Sequence, residues 1–329
     1  MKVEIPGIHH VTAIAGDPQR NVDFYVGTLG LRMVKRTVNF DDPGTYHLYY
    51  GDESGRPGSL LTFFPWPGAP RGRLGSGQAT ATSYSIPAES VGFWLERLKQ
   101  RGVAARRPES RVGDQVISFS DPDGLPLELV ASQEPDPRTP WREGPVPAEH
   151  AIRGFHGVTL LEERPEATAR LLIETLGFRA AGEDEGRRRF VTGRGGPGSV
   201  VDLVADPGAP RGIVAVGTVH HVAWRARSDA EQEGWRNEVA ALGYNVTPVI
   251  DRKYFRSVYF REPGGVLFEI ATDAPGFAVD ESPERLGQSL VLPPWLEPRR
   301  PELEAALPPI RLPAAPVNAT ARGEGDRAG

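Results

Sequence analysis

The hexapeptide Pro-Gly-Ala-Pro-Arg-Gly occurs at 67–72 and again at 207–212, and each copy follows a similar lead-in, Arg-Pro-Gly-Ser-Leu-Leu at 56–61 and Gly-Pro-Gly-Ser-Val-Val at 196–201. This duplication constrains the fold more than any other feature, because whatever the first half builds, the second half builds again. Between the halves, Pro135, Pro137, Pro140, Pro145 and Pro147 rule out a helix or a central strand, so 132–152 reads as an extended linker. Each half divides once more. Apolar residues at helical spacing recur as Val22, Tyr25, Val26, Leu29, then Val91, Trp94, Leu95, Leu98, then Ala169, Leu172, Ile173, Leu176. A weaker fourth copy keeps Trp235, Val239 and Leu242. Gly30, Gly102, Gly177 and Gly243 follow the four stripes where a helix ends in a left-handed residue.

A short strand precedes each stripe and strand-like runs follow it, as at Arg32 to Phe40, Tyr46 to Tyr50 and Ser59 to Phe64. The repeating unit is therefore βαβββ, and the fold class is α+β. One helix covers one face of a curved sheet, so two units are expected to pair edge to edge around a concave pocket, giving two cups. In chain order, 1–131 holds the first two units (5–67 and 79–131) and 153–273 the second two (153–206 and 217–273). A Pro-rich tail covers 274–329. Its apolar anchors at 292–296 and 307–310 predict packing over a domain, and 316–329 reads as disordered.

Composition narrows the chemistry. The chain has no cysteine, which excludes disulfides, thiolate nucleophiles and Cys-based metal sites. Any transition metal must use His, Asp or Glu. A formal charge of −5, with cations scattered among acidic residues, gives no footprint for nucleic acid. The N-terminus has no apolar leader and no run is long enough to cross a membrane, so a soluble, cytoplasmic protein is expected. The sequence leaves a homo-oligomer open.

Aligned on their ends, the units reveal a ligand set. Opening strands read Ile8-His9-His10-Val11-Thr12, Phe155-His156-Gly157-Val158-Thr159 and Val219-His220-His221-Val222-Ala223, while the second unit has no histidine there. Closing strands place Thr62, Glu128, Asp202 and Glu269 at one equivalent position. If units one and four share a cup, His10, His221 and Glu269 meet, with Thr62 in the fourth slot; sequential pairing leaves each cup one histidine and one carboxylate. Two histidines and a carboxylate with open positions suit Fe(II), and Mn(II) is an acceptable substitute. Strand side chains alternate faces, so both members of a His-His pair cannot point inward, and the repeat alone does not say which does. Thr12 shares a face with His10 and is a candidate supporting group. His156, His47 and His150 read as structural or exposed, and Glu128 and Asp202 as hydrogen-bonding groups of a metal-free cup.

At these residues the chain resembles the vicinal oxygen chelate superfamily of glyoxalases, bleomycin-resistance proteins and type I extradiol dioxygenases, over roughly 5–272. The segments Tyr46-His47-Leu48-Tyr49-Tyr50, Gly51-Asp52-Glu53 with Pro57-Gly58, and above all Asp251 to Phe260 resemble its hydroquinone and chlorohydroquinone ring-cleaving dioxygenases. The resemblance implies that the second histidine of each pair, His10 and His221, binds metal with Glu269. It also places the family's Arg and Tyr beside the metal site on Arg252 and Tyr259. Arg252 suits an oxyanion, and Tyr259 suits proton transfer if a nearby cation lowers its pKa. The implied activity is insertion of both atoms of O₂ into an aromatic diol, opening the ring. Two rivals stand: a glyoxalase-like isomerase or lyase, for which Thr62 is a poor base, and a binding protein without chemistry.

Overall fold

Alternating apolar runs become strands, and the four stripes become helices that cover them. In the computed structural model, which describes residues 4–132 and 134–313, unit one is β1 (Ile8–Ala15), α1 (Pro18–Val22), β2 (Arg32–Val38), β3 (Tyr46–Gly51) and β4 (Leu60–Pro65). Unit two is β5 (Gln78–Ile86), α2 (Val91–Gln100), β6 (Glu109–Arg111), β7 (Asp114–Ser120) and β8 (Pro126–Ala131). Unit three is β9 (Gly154–Glu162), α3 (Glu166–Arg170), β10 (Arg179–Asp184), β11 (Arg187–Val191) and β12 (Val200–Ala205). Unit four is β13 (Thr218–Ala226), α4 (Asp229–Ala241), β14 (Ile250–Asp251), β15 (Arg256–Arg261) and β16 (Leu267–Thr272). The expected α+β class, with two curved-sheet cups, is what forms.

Sheet one runs β14-β15-β16-β13-β1-β4-β3-β2 and sheet two β10-β11-β12-β9-β5-β8-β7-β6. Each sheet thus joins one unit from each half: β1 against β13 pairs units one and four, and β5 against β9 pairs units two and three. The repeated hexapeptides lie where the chain crosses between sheets, and the two crossings are bridged at Arg73 with Ile213 and at Ser76 with Arg211.

Each helix ends as the glycines require, with Gly30, Gly102, Gly177 and Gly243 at φ between 72° and 87°, a region in which a side chain is strained. The stripes are less regular than their spacing. In units one and three the helix widens into a π turn, at Asp23–Thr28 and Leu171–Thr175. A π turn adds a residue and rotates the rest of the helix about its axis. In unit one Val22, Tyr25, Val26 and Leu29 all stay buried, whereas in unit three Ile173 turns outward and is 43% exposed. The tail packs on unit one as its apolar residues predict. Leu286, Leu292, Leu296 and Leu307 are buried, α5 (Arg300–Ala306) buries Leu303, and the fully buried Lys35 of β2 pairs with Asp280 and Glu281. Residues 316–329 lie outside the described residues. Among those described, no helix is long and apolar enough to cross a membrane.

Candidate metal centre

Two irregularities in the β1–β13 ladder build the site. Ile8 and His10 stand opposite Trp224 and Ala223, which leaves His9 as an extra residue; Thr12 and Ala13 stand opposite His221 and Val219, which leaves His220 as the extra residue on the other strand. An extra residue bends the strand and re-aims its side chains. Strict alternation would send the two rings of each pair to opposite faces. The bulges instead hold them together, with His9 and His10 joined through Nδ1 atoms 2.9 Å apart and His220 and His221 through Nδ1 atoms 2.8 Å apart.

The proton positions are set by the partners. The carbonyl of Thr272, 3.1 Å from His9 Nε2, can only accept, so a neutral His9 carries its proton on Nε2 and accepts at Nδ1. Burial, reinforced by His10, pushes the His9 pKa down to about 3 and keeps the ring neutral. His10 therefore donates from Nδ1, and its Nε2 bears a lone pair. That atom lies 3.2 Å from His221 Nε2 and 3.3 Å from Glu269 Oε2, and the third edge, His221 Nε2 to Glu269 Oε2, is 2.9 Å. Atoms ~2.1 Å from one metal are ~3.0 Å apart at right angles and ~3.4 Å apart at tetrahedral angles, so the triangle has the size of one face of a coordination shell.

All three groups are buried, and Glu269 is fully so. Ser257 donates to Glu269 Oε1, while Oε2 has no hydrogen-bond partner. Burial alone would raise the Glu269 pKa, but the His10 and His221 rings bring it well below the ordinary carboxylate range. Burial lowers the His221 pKa against the opposing pull of Glu269. An anionic oxygen without a donor, facing two imidazole nitrogens, is a donor set that fits a divalent cation. Among the described residues it is the one group of three such side chains close enough to share an ion.

His10 and His221 open into a cavity of about 450 Å³, with Phe64, Trp66, Ile250, Phe255 and Leu267 among its apolar walls, and Glu269 lies behind them. Arg252 and Tyr259 line the same cavity. The Arg252 Nε donates to the Tyr259 hydroxyl at 3.3 Å, and its Nη1 pairs with Asp41 at 2.8 Å. Tyr259 stands edge-on to His221, with ring centres 5.7 Å apart. Among the protein's own groups its pKa is raised, by burial and then by Glu269, against the lowering effect of Arg252. Thr12 is fully buried and bonds Thr62 at 2.8 Å without reaching the cavity wall.

His47, expected to be structural or exposed, lines the cavity and bonds Thr62 Oγ1 at 3.0 Å. It escapes an alignment of opening and closing strands because it sits on β3, between them.

In the second cup the equivalent slots are engaged in ion pairs. Glu128 accepts from Ser83 and Arg111, and Asp202 from Arg187 and Arg189. Arg189 also pairs with Asp114, beside the buried His156. Guanidinium groups supply the charge for these carboxylates.

Comparison with known proteins agrees with this architecture. The family model for the Glyoxalase/Bleomycin resistance protein/Dioxygenase superfamily matches residues 7–129 and 154–270. The chain is 50% identical over 306 residues to the "Putative ring-cleaving dioxygenase MhqO" of Bacillus subtilis, covering 93% of this chain and 97% of that one. It is 38% identical over 307 residues to the chlorohydroquinone/hydroquinone 1,2-dioxygenase of Sphingobium indicum, covering 91% and 95%. A crystal structure of a "putative dioxygenase" from Bacillus subtilis superposes with a TM-score of 0.90 at 48% identity, over 95% of this chain and 99% of that one. With both halves matched and relatives aligned along nearly its whole length, the chain belongs to the glyoxalase/bleomycin resistance protein/dioxygenase superfamily.

Proposed function

We propose that the chain is a ring-cleaving dioxygenase that uses Fe(II), held by His10, His221 and Glu269, to insert both atoms of O₂ into an aromatic diol of the hydroquinone type. The observation that carries the proposal is the convergence of the His10 Nε2, His221 Nε2 and Glu269 Oε2 atoms beside a ring-sized cavity that the two histidines line. Relatives named as ring-cleaving and hydroquinone dioxygenases support the reaction class. A metal in that position supplies Lewis acidity toward the diol and the one-electron chemistry that O₂ requires.

The protein's own residues do the rest. Phe64, Trp66, Phe255 and Leu267 hold the ring and exclude water. The Arg252 guanidinium, anchored by Asp41, faces an oxyanion that develops in the cavity. Tyr259, hydrogen-bonded by that guanidinium and edge-on to His221, stands where its hydroxyl can exchange a proton with the substrate. Thr62 argues against an isomerase: its hydroxyl is engaged by Thr12 and His47, and no carboxylate stands in that slot to act as base.

Metal analysis of anaerobically purified protein, followed by oxygen uptake with a panel of diols, tests the assignment. One O₂ consumed per hydroquinone opened, with slower or abortive turnover of catechol, is the expected result. A wide preference for catechol would move the chain to the catechol-cleaving enzymes. No uptake with any diol, together with proton exchange on a 2-oxoaldehyde thiohemiacetal, would make it an isomerase.

A further inference from the structure

The two walls of the metal cup are related residue by residue. In unit four, Tyr259 of β15 pairs with Glu269 of β16; in unit one, Tyr49 of β3 pairs with Thr62 of β4. Glu269 and Thr62 are equivalent slots, so Tyr49 is the counterpart of Tyr259, and His47 is the counterpart of Ser257. Each counterpart bonds its own slot, Ser257 to Glu269 and His47 to Thr62. The cup therefore presents a phenol from each wall, one beside the metal-ligating carboxylate and one on the wall where the ligand is replaced by a hydroxyl.

We propose that Tyr49 receives the hydroxyl group of an aromatic 1,4-diol that lies remote from the triad, with His47 and Thr62 as the residues that position it. The inference rests on the hydroquinone-type reading above. Tyr49 lines the cavity although it is only 1% exposed. Its hydroxyl has one protein partner, His47 Nδ1 at 2.8 Å, whereas a phenol offers one proton and two lone pairs. His47 has no capacity left for a ligand, because Nδ1 is held by Tyr49 and Nε2 by Thr62, and its ring lies against Tyr49 with centres 4.0 Å apart. Thr12, Thr62, His47 and Tyr49 thus form one chain of contacts of 2.8, 3.0 and 2.8 Å.

Whichever way its protons run, the last member of that chain keeps an unused hydrogen-bonding position toward the cavity. A 1,4-diol with one oxygen at the triad directs the other to the unit-one wall. A 1,2-diol brings a bare ring edge there and leaves that remaining position of the phenol unfilled, which is how a polar pocket disfavours an analogue lacking the hydroxyl.

The test uses the full chain loaded with Fe(II) under strictly anaerobic conditions and titrated calorimetrically with hydroquinone and with phenol. Wild type should bind hydroquinone about threefold to tenfold more tightly than phenol, the usual value of one net hydrogen bond. Tyr49→Phe should erase that difference while iron content and phenol affinity stay unchanged, and His47→Gln should reduce it. Under O₂, the KM for hydroquinone should rise more than kcat falls in Tyr49→Phe. Equal binding of hydroquinone and phenol by wild type would overturn the proposal without touching the fold. So would a Tyr49→Phe variant that keeps the wild-type ratio, even if hydroquinone is still cleaved and the dioxygenase reading stands. Failure of wild type to bind or oxidise hydroquinone at all would remove both.

Discussion

Glu162→Gln should stabilise the protein, by an amount that grows with pH. Glu162 ends β9 in sheet two, Glu262 comes just after β15 in sheet one, and the hydroxyl of Thr168 sits between their carboxyl groups, 2.7 Å from Glu162 and in close contact with Glu262. One hydroxyl has one proton. The second contact therefore needs a proton from a carboxyl group. Glu262 accepts backbone N–H groups from Gly264 at 2.8 Å and Val266 at 2.6 Å and so suits the charged form, which leaves Glu162 as the acid. Burial and then the Glu262 charge push the Glu162 pKa from an ordinary 4.5 up to about 8, with Glu166 adding to the rise and Arg188 and Thr168 opposing it.

The sign is fixed by the direction of that shift. Between those values the unfolded chain has lost the proton that the folded chain keeps, so the contribution of Glu162 to stability is fully present below pH 4.5 and is lost as pH rises toward 8. The loss is about 1 kcal/mol at pH 5 and about 3 kcal/mol at pH 7. Glutamine donates to Thr168 without titrating and removes this loss. Urea unfolding of both proteins at pH 5, 7 and 8 would measure it. A stability difference that does not change between pH 5 and pH 8 would refute the shared-proton account.

Replacing Lys35 with Met should destabilise the protein by about 3–5 kcal/mol, because it strands the Glu281 carboxylate in the interior; limited proteolysis should then cut first within 274–313. Tyr259→Phe should lower kcat roughly 10²-fold with iron content unchanged, since it removes one positioned proton-transfer group. His9→Ala should weaken Fe(II) binding about 10- to 100-fold rather than abolish it, because His9 fixes the His10 tautomer without touching the ion. Metal loss from His9→Ala as complete as from His10→Ala would contradict that division of roles.

Much of the fold is legible in the sequence because its signals recur four times. A single stripe such as Ala169 to Leu176 is ambiguous, but four stripes each closed by a glycine define the unit. The ligand slots then point to units one and four as partners, a pairing of segments some two hundred residues apart that local propensity does not encode.

Two things escape. The π turns leave no mark in the spacing of apolar residues, since Tyr25 and Val26 stay buried while Ile173 does not. The bulges escape for a different reason: His9 and His220 are single extra residues in one ladder, and the break in register exists only once β1 and β13 are paired. Tyr49 and His47 are within reach of the sequence, because the third strands obey the same repeat as the closing strands.

One metal on His10, His221 and Glu269, in the cup shared by units one and four, is the claim on which the rest depends. Anomalous diffraction at the iron absorption edge, from crystals of the anaerobically loaded chain, tests it directly. The expected result is one peak, ~2.0–2.2 Å from His10 Nε2, His221 Nε2 and Glu269 Oε2. A peak among Glu128, Asp202 and His156 in the second cup, or none in the first, would contradict it.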